Sequence, residues 1–544
     1  MACAVARACF LLDRITVKGY FAGASGRTDV TLQFAVGRLH LQGGGTLGLL
    51  GIEVADNGVT AAVYDIEGRV LARGDGRYEP ESPQPGLVEI DVETVWEALK
   101  AVVGQAVSGT SEAVTAMSLA VAGEAVVPID RTGTPLGAAI LSDDRRGSEL
   151  AMDFHERVSP IEIMRFTGMP AGPTYPLLEL LWLKESRPDV YRDTWRFMGW
   201  QDYIVSRLGL EPTTDPSLAG RTQMFDIING VWADGIIDRA GLDRDKLSEV
   251  RPAGTLLGEI SRRAAEELGL PTGTRFVLGG YEKAAAALGV GAVSSGHALN
   301  ATAGVQYLVP ALNAPVVDPE MMKNGFACCP HVVPEMYVSI AYNATGTALL
   351  EWFHAVFDGK SRQTTKGTAR DVIARLAAEM DDDPTDLLVL PYFTASGTPY
   401  LESKPMGSIV GLALDTTRGA LSRALFEGLA LEMKLNAGLL AASAIRIGEL
   451  DVSGPAAGCR SWCQVKADVL GVPVNCHVGV DAAALGAAML AGMGTGLYTD
   501  ATAAVEFCVN VEERLLPNGP RTDVYETKFA HYRRLYPALR DILS

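Results

Sequence analysis

The chain has 544 residues, of which 48% are hydrophobic and 21% are charged, and it carries a formal charge of -18. A chain of this length exceeds what one hydrophobic core can organise, so we expect two large domains. The acidic balance argues against binding to nucleic acid or to an anionic membrane, whose phosphates would repel the surface. The sequence contains no stretch of 18 uncharged apolar residues, so it predicts no membrane-spanning helix.

The cysteines show neither a disulfide framework nor a CxxC pair. This usage fits a reducing compartment, and we therefore expect a cytoplasmic protein. Two groups, 328–329 and 459–463, have thiols close enough in sequence to suggest metal ligands, but buried structural thiols are the favoured interpretation. The cysteines are Cys3, Cys9, Cys328, Cys329, Cys459, Cys463, Cys476 and Cys508.

Residues 1–45 differ in pattern from the rest of the chain and are predicted to form an N-terminal extension. They contain one alternating segment, 30–36, that predicts an edge strand, and they end in three glycines at 43–45 that predict a flexible join. A disordered segment and an over-extended start of the gene are the alternatives.

From residue 47 the pattern predicts a β-meander, with strands at 47–54, 59–65 and 69–73. A helix at 92–107 and a strand at 114–122 come next, and strands continue to alternate with helices to about residue 290. This alternation is typical of an α/β layer structure.

A second α/β block begins near residue 296 and repeats the plan. Its predicted elements are a strand at 387–392, a helix at 421–440, a strand at 450–454 and a helix at 482–491 that Asp481 caps. We therefore place the lobes at 46–292 and 293–544, with a ligand-binding cleft between them.

A single carboxylate, Glu282, comes directly after the turn Gly279-Gly280-Tyr281 and opens a helix rich in small residues at 283–289. Glycines let backbone approach a ligand closely, and a helix N-terminus favours negative charge, so the turn suits a phosphorylated substrate or product. Glu282 is the candidate catalytic base. The simpler alternative is an acid that stabilises its own helix.

Ten segments in a fixed order carry a family resemblance that covers roughly residues 47–500. With them the chain resembles the FGGY family of carbohydrate kinases, two-lobed actin-like (ribonuclease H-like) enzymes that include glycerol kinase and xylulokinase. The segments are Gly51-Ile52-Glu53, 85–89, 140–146, Gln201-Asp202-Tyr203, Thr214-Asp215, 390–393, 407–412, 423–428, 454–464 and 467–471.

The resemblance implies transfer of the γ-phosphoryl group of ATP to a hydroxyl of a small sugar or polyol, with Mg²⁺. Such chemistry depends on positioning and on compensation of charge. By position in the family pattern, Glu282 accepts the proton of the attacking hydroxyl and also contacts the substrate. Glu53 helps to hold Mg²⁺, and Asp56, Asn57 and Gly58 form the first phosphate hairpin.

The remaining implied site residues fall into two groups. Glu89, Asp144 and Arg146 lie on the substrate side of the cleft. The nucleotide side takes a second phosphate turn with Thr302 and Gly304, together with an adenine segment that contains Gly454, Ala457 and Gln464. In one alignment register of the second turn, the Thr302 hydroxyl faces the phosphate. In the alternative register, no hydroxyl does.

The family resemblance also suggests a homodimer.

Four ligand-contacting segments depart from the family pattern. The opening G-I-D-x-G-T has Glu53 for Asp, Ala55 for Gly and Asp56 for Thr, and the base position has Glu282 for Asp. The second phosphate turn, usually G-T-S or G-T-x, corresponds to 300–304, and Pro455 replaces the second glycine of the adenine loop. A carboxylate at Asp56 would repel phosphate unless a cation lies between them.

These departures leave two hypotheses. One is an active kinase, for which a pentulose such as xylulose is the favoured acceptor. The other is a pseudokinase that binds sugar or nucleotide as a sensor or partner protein. A dinucleotide-dependent oxidoreductase is disfavoured, because the glycines at 43–51 lead into a strand rather than a helix.

Overall fold

The computed structural model describes residues 15–23, 26–34, 47–358 and 368–543. The chain divides into two compact units, Met1–Leu47 and Gly48–Ser544. In the first unit, strands Ile15–Gly23 and Gly26–Phe34 pair antiparallel as a hairpin. The second of these strands covers most of the strand predicted at 30–36, whereas the predicted glycine join at 43–45 lies outside the described residues.

The larger unit contains a first sheet of seven strands. Its opening strands form the predicted meander, which is confirmed, because each pairs antiparallel with the next. The first meander strand, Leu47–Ala55, also lies beside strand Ala113–Val121. In spatial order the sheet is Leu256–Glu259, Arg275–Val277, Ala113–Val121, Leu47–Ala55, Gly58–Tyr64 and Val70–Arg77, with Gly280–Tyr281 pairing parallel to Ala113–Val121.

A second sheet of seven strands repeats this plan in the later half of the chain. Strand His297–Thr302 pairs antiparallel with Gln306–Leu312 and parallel with Glu449–Ser453. The chain is thus an α/β protein with two actin-like lobes, as predicted. In spatial order this sheet is Ala327–Pro330, Tyr337–Asn343, Gln306–Leu312, His297–Thr302, Glu449–Ser453, Val474–Cys476 and Glu513–Leu515.

Short strands outside the two sheets form two-stranded pairs. They are Glu89–Ile90, Val127–Ile129, Ala139–Ile140, Arg196–Met198, Thr213–Thr214, Phe225–Asp226, Val231–Trp232, Glu249–Val250, Leu388–Leu390 and Ser408–Val410. Single turns of 3-10 helix occur at Ser148–Leu150, Gly220–Thr222, Arg244–Lys246 and Pro455–Gly458.

The α-helices include those predicted near 92–107, 421–440 and 482–491. Among the described residues, no helix is both long enough and apolar enough to cross a bilayer. They are Val92–Ser108, Ala151–Arg157, Pro160–Thr167, Pro176–Ser186, Pro188–Asp193, Trp200–Arg207, Pro216–Ala219, Asp234–Ala240, Arg262–Leu268, Glu282–Gly289, Pro319–Lys323, Thr347–Phe357, Ala369–Glu379, Arg418–Ala442, Arg460–Leu470, Ala482–Gly494, Ala501–Cys508, Gly519–Tyr532 and Leu535–Leu543.

Helix Ala482–Gly494 comes late in the sequence but packs on the first sheet and on helix Glu282–Gly289. Small residues allow this approach. A Cβ on Gly486 would lie 1.9 Å from the Ala285 carbonyl oxygen, and one on Gly51 would lie 1.8 Å from that of Ala484. Because the helix crosses to the first lobe, its N-terminal cap reaches the end of the first strand of the meander.

Candidate active site

The turn before Glu282 is fixed by very close backbone packing. A Cβ on Gly279 would lie 1.7 Å from the Leu119 carbonyl oxygen, so only glycine fits there. On the other side of the turn, the Tyr281 amide donates to Ser217 Oγ at 2.8 Å. Glu282 is therefore the first residue of a helix whose position is set by the sheet.

Ser217 links this turn to a buried acid. Its hydroxyl donates to Asp215 Oδ2 at 2.7 Å, and Asp215 also caps the short helix that carries Ser217. Burial raises the pKa of Asp215 to about 7, although the hydrogen bonds from Ser217 work in the opposite direction. The family segment pointed to Asp215 but not to Ser217; the Asp-x-Ser spacing of a helix cap was the available signal.

The Glu282 side chain is 11% exposed, and its carboxyl group lies 2.6 Å from Lys283 Nζ. Lys283 in turn lies 4.4 Å from the centre of the Tyr307 ring. Burial alone would lower the pKa of Lys283, but the Glu282 carboxylate raises it above its ordinary value. Lys283 therefore places a cation directly against the carboxyl group that is the candidate general base.

Glu53, at the end of the first meander strand, lies next to Asp481, the cap of helix Ala482–Gly494. Two neighbouring carboxyl groups repel each other when both are ionised. Burial, followed by Asp481 and Glu282, raises the pKa of Glu53 well above its ordinary range, and Lys283 opposes this. The Asp481 cap was predicted and is confirmed, since its side chain accepts from the Ala484 amide at 3.4 Å.

Neighbouring carboxyl groups suit a hard divalent cation, whose positive charge would offset their repulsion. Among the described residues no group of three or more His, Cys, Asp and Glu side chains has metal-binding geometry. Mg²⁺ characteristically binds through one or two carboxylates, with water and substrate phosphates as its other ligands. Glu53 and Asp481 fit that requirement.

Asp56 lies in the two-residue turn between the first two meander strands. Its Oδ2 accepts from Ser142 Oγ at 2.5 Å, whereas its Oδ1 is buried and has no hydrogen-bond partner in the described part of the chain. Burial raises the pKa of Asp56 to about 7, the Ser142 hydrogen bond lowers it, and Glu282 raises it. Asn57 in the same turn is exposed, and Gly58 faces the backbone of Gly76, where a Cβ would lie 2.6 Å from the carbonyl oxygen.

The three residues predicted on the substrate side are brought together. Arg146 forms a two-point contact with Asp144, at 2.8 Å from Nε and 2.7 Å from Nη2. The same guanidinium donates to Glu89 at 2.6 Å and lies 4.8 Å from the centre of the Trp182 ring. Asp144 also accepts from the Val88 amide at 2.7 Å. The Asp144 side chain is fully buried, so the cluster holds Arg146 in one arrangement.

A second buried ion pair, Arg221 with Glu124, was not predicted from the sequence. Arg221 also stacks on Tyr281, with its guanidinium carbon 5.0 Å from the ring centre, and it faces Tyr175 at 5.7 Å. The pair thus lies beside the residue that precedes Glu282. Neither member falls in a family segment used for the prediction, and no local pattern marked them.

On the nucleotide side, the Thr302 hydroxyl lies in the interior. It donates to Asn300 Oδ1 at 3.3 Å, and the buried Lys466 ammonium donates to the same oxygen at 2.6 Å. Gly304 is exposed two residues further on. Gly454 lies against this turn with φ 78°, and a Cβ there would be 3.0 Å from the Thr302 carbonyl oxygen.

The residues of the predicted adenine segment lie in two different environments. Ala457 is buried in the turn directly after Gly454. Gln464 lies further along, where its amide donates to Asp468 at 2.7 Å and to the Leu516 carbonyl at 2.9 Å. Gln464 is therefore held by the C-terminal part of the chain.

The acids from separate elements converge. Glu282 acts electrostatically on both Glu53 and Asp56, and neither Glu53 nor Glu282 points into bulk solvent. The site combines a candidate base in contact with a lysine, two neighbouring carboxyl groups that could hold a cation, and a cluster of ion pairs. This arrangement can remove a proton from a hydroxyl and hold a metal-bound anion next to it.

Comparison with known proteins agrees with this geometry. The model described as "FGGY family of carbohydrate kinases, N-terminal domain" matches residues 49–289. Its C-terminal counterpart matches residues 304–495. The chain is 29% identical over 502 residues to a protein named autoinducer-2 kinase from Yersinia pseudotuberculosis serotype O:3 (strain YPIII), covering 90% of this chain and 94% of the relative.

Solved structures share the fold. A gluconate kinase from Lactobacillus acidophilus superposes with a TM-score of 0.81 at 22% identity, covering 91% of this chain and 98% of the other. A ligand-bound xylulose kinase from the same organism has a TM-score of 0.81 at 21% identity, with the same coverage.

Proposed function

Because the chain belongs to the FGGY family of carbohydrate kinases, we propose that it transfers the γ-phosphoryl group of ATP, with Mg²⁺, to a hydroxyl of a small open-chain sugar, a pentulose such as xylulose being the first choice. As a member of this family it is an enzyme of the phosphotransferase type that uses an alcohol group as acceptor. ATP is the proposed nucleotide, Mg²⁺ the proposed cation and the sugar the proposed acceptor.

The observation that carries the proposal is the convergence of Glu282 with Glu53 and Asp481. Glu282 is held at a fixed helix start and is paired with Lys283 at 2.6 Å. In the proposed reaction Glu282 accepts the proton of the attacking hydroxyl as the new phosphate ester bond forms. The longer glutamate side chain takes the position at which the family pattern has aspartate.

The cation site accounts for the acidic character of the phosphate region. When bound, Mg²⁺ supplies positive charge that offsets the developing charge on the phosphates. Glu53 and Asp481 would hold the cation. Asp56 has one carboxyl oxygen that is buried and has no hydrogen-bond partner among the described residues, so its carboxyl group would either face the cation or carry a proton. The acids that would otherwise repel ATP thereby become compatible with it.

The acceptor is proposed from the residues at 85–89 and 390–400, which resemble xylulokinase-type members more than glycerol kinase. Glu89, Asp144 and Arg146 would contact the sugar hydroxyls. Relatives of the same fold carry names for gluconate and xylulose as well as autoinducer-2. The acceptor panel should therefore include a pentulose, a polyol, a sugar acid and autoinducer-2.

The test is ADP release by the purified chain with ATP, Mg²⁺ and each acceptor. We expect acceptor-dependent ADP that Glu282→Gln abolishes while circular dichroism and melting temperature stay close to those of the wild type. Glu156→Gln, which alters an exposed acid on helix Ala151–Arg157, is the matched control. Acceptor binding without ADP from any acceptor would favour the pseudokinase hypothesis, and unchanged turnover in Glu282→Gln would place the base elsewhere.

A cytoplasmic location and a homodimer remain predictions. The described cysteines are free thiols and all are buried, which is compatible with a reducing compartment.

A further inference from the structure

One face of the helix Pro176–Ser186 runs beneath both ion pairs on the substrate side of the cleft. Residues three and four apart share a helix face, so Tyr175, Glu179 and Trp182 form a stripe. Arg221 lies over the Tyr175 ring at 5.7 Å, and Arg146 lies over the Trp182 ring at 4.8 Å. Glu179 is thus placed between the two arginines.

Glu179 has an unusual environment for a carboxyl group. Its exposed fraction is 0%, and neither carboxyl oxygen has a hydrogen-bond partner within the part of the chain that the structure describes. An ionised carboxylate in this position would be a buried charge without compensation, which is very costly. A neutral carboxylic acid avoids most of that cost.

The charged groups that face Glu179 support the neutral form. Burial raises the pKa of Glu179 well above its ordinary range, and the charge of Asp144 raises it further. Arg146 lowers it and Glu124 raises it. Both nearby acids therefore oppose a third negative charge, and Arg146 does not overcome them.

Arg146 and Arg221 are already paired. Asp144 and Glu89 occupy the guanidinium of Arg146, at 2.7 and 2.6 Å, and Glu124 occupies that of Arg221. An acceptor that carries its own negative charge would have to displace one of these acids or remain unpaired, and either is costly in a buried site. An uncharged acceptor needs only hydrogen bonds to the outer faces of the pairs.

We propose that Glu179 is a specificity-determining residue that stays uncharged beneath the substrate side of the cleft, so that Arg146 and Arg221 remain paired with their own acids and the site selects a neutral polyhydroxy acceptor over a sugar acid. This inference rests on the proposed function and narrows its substrate class. Glu179 acts through the two arginines and is a positioning residue.

The first measurement does not depend on turnover. An infrared difference spectrum at pH 7 between the wild type and Glu179→Gln should show a protonated carboxyl band that the variant lacks. Glu185→Gln, which alters an exposed acid on the same helix, should retain the protonated carboxyl band in its own spectrum. Absence of the band in the difference with Glu179→Gln would overturn the proposal.

The second measurement compares acceptors. We expect kcat/KM for a five-carbon ketose or polyol to exceed that for a five-carbon sugar acid by about tenfold or more, because the acid would bring an unpaired charge into the site. Equal use of the two acceptors would refute the idea. If no acceptor is phosphorylated, the proposed function fails, and calorimetric binding of the same two compounds then tests the selectivity.

The third measurement is a pH profile. As pH rises, the wild type should lose acceptor affinity when Glu179 ionises, seen as a rising KM with little change in kcat. Glu179→Gln should keep its neutral-pH KM, within about threefold of wild type, and should lack this rise. A rise of equal size in both proteins would contradict the proposal. The wild-type acceptor ratio still tests it if the variant does not fold.

Discussion

Glu53 and Asp481 come from opposite halves of the sequence, yet their carboxyl groups lie next to each other in the candidate site. The contact exists because helix Ala482–Gly494 crosses to the first sheet and carries its cap residue with it. Arg73 Nη2 lies 3.6 Å from Asp481 Oδ2 and places a positive charge beside this acid. The proposed cation site therefore combines a residue of the first sheet with one from much later in the sequence.

Replacing Asp481 by Asn should weaken cation binding without unfolding the helix, because Asn is as good an N-cap as Asp. Loss of one carboxylate should lower the affinity for Mn²⁺, measured by electron paramagnetic resonance in the presence of ADP, by roughly 10-fold to 100-fold. Asp500→Asn is the matched control, since Asp500 caps helix Ala501–Cys508 in the same way. Equal Mn²⁺ affinity in the two variants would show that Asp481 is structural alone.

Asp56 should make stability fall as pH rises. Its folded pKa of about 7 lies above the unfolded value of roughly 3.9, so its contribution is fully present below that lower value and is lost as pH rises through 7. Asp56→Asn removes the ionisation and keeps the shape. Its melting temperature relative to wild type should therefore increase between pH 5 and pH 8. A difference that stays constant with pH would show that Asp56 is not buried as described.

Local patterns predicted the parts of the site that depend on neighbouring residues. The Gly279-Gly280 turn, the helix after it and the Asp481 cap follow from spacing and composition, and the meander follows from alternation and turn residues. The contact of Glu53 with Asp481 and the pair of Arg221 with Glu124 could not be predicted in this way, since each joins distant parts of the chain through tertiary packing.

Glu179 is an intermediate case. A charged residue within the apolar run at 177–183 was a visible departure from the helix pattern. Its neighbours, which decide its charge, were not visible in the sequence.

Gly279→Ala should be among the most destabilising single-methyl changes in the chain. The added Cβ would lie 1.7 Å from the Leu119 carbonyl oxygen, so either strand Ala113–Val121 or the turn before Glu282 must shift. We expect a loss above about 3 kcal/mol in the free energy of unfolding, measured in urea. Gly104→Ala adds a methyl within helix Val92–Ser108 where no atom lies within 4 Å. It should instead stabilise by about 0.5–1 kcal/mol, and similar effects of the two changes would contradict the packing described.

Glu124→Gln should be costly because it leaves Arg221 as a buried cation without its counter-charge. Breaking a buried pair from one side costs about 3–5 kcal/mol, whereas an exposed pair contributes at most about 1 kcal/mol. Glu266→Gln, which breaks the exposed contact with Arg262, is the matched control. Since Arg221 stacks on Tyr281, the residue before Glu282, Glu124→Gln should also lower kcat, measured by ADP release under conditions in which the variant is folded. A stability loss no larger than that of Glu266→Gln would mean that water reaches Arg221 and that the pair does not organise the turn.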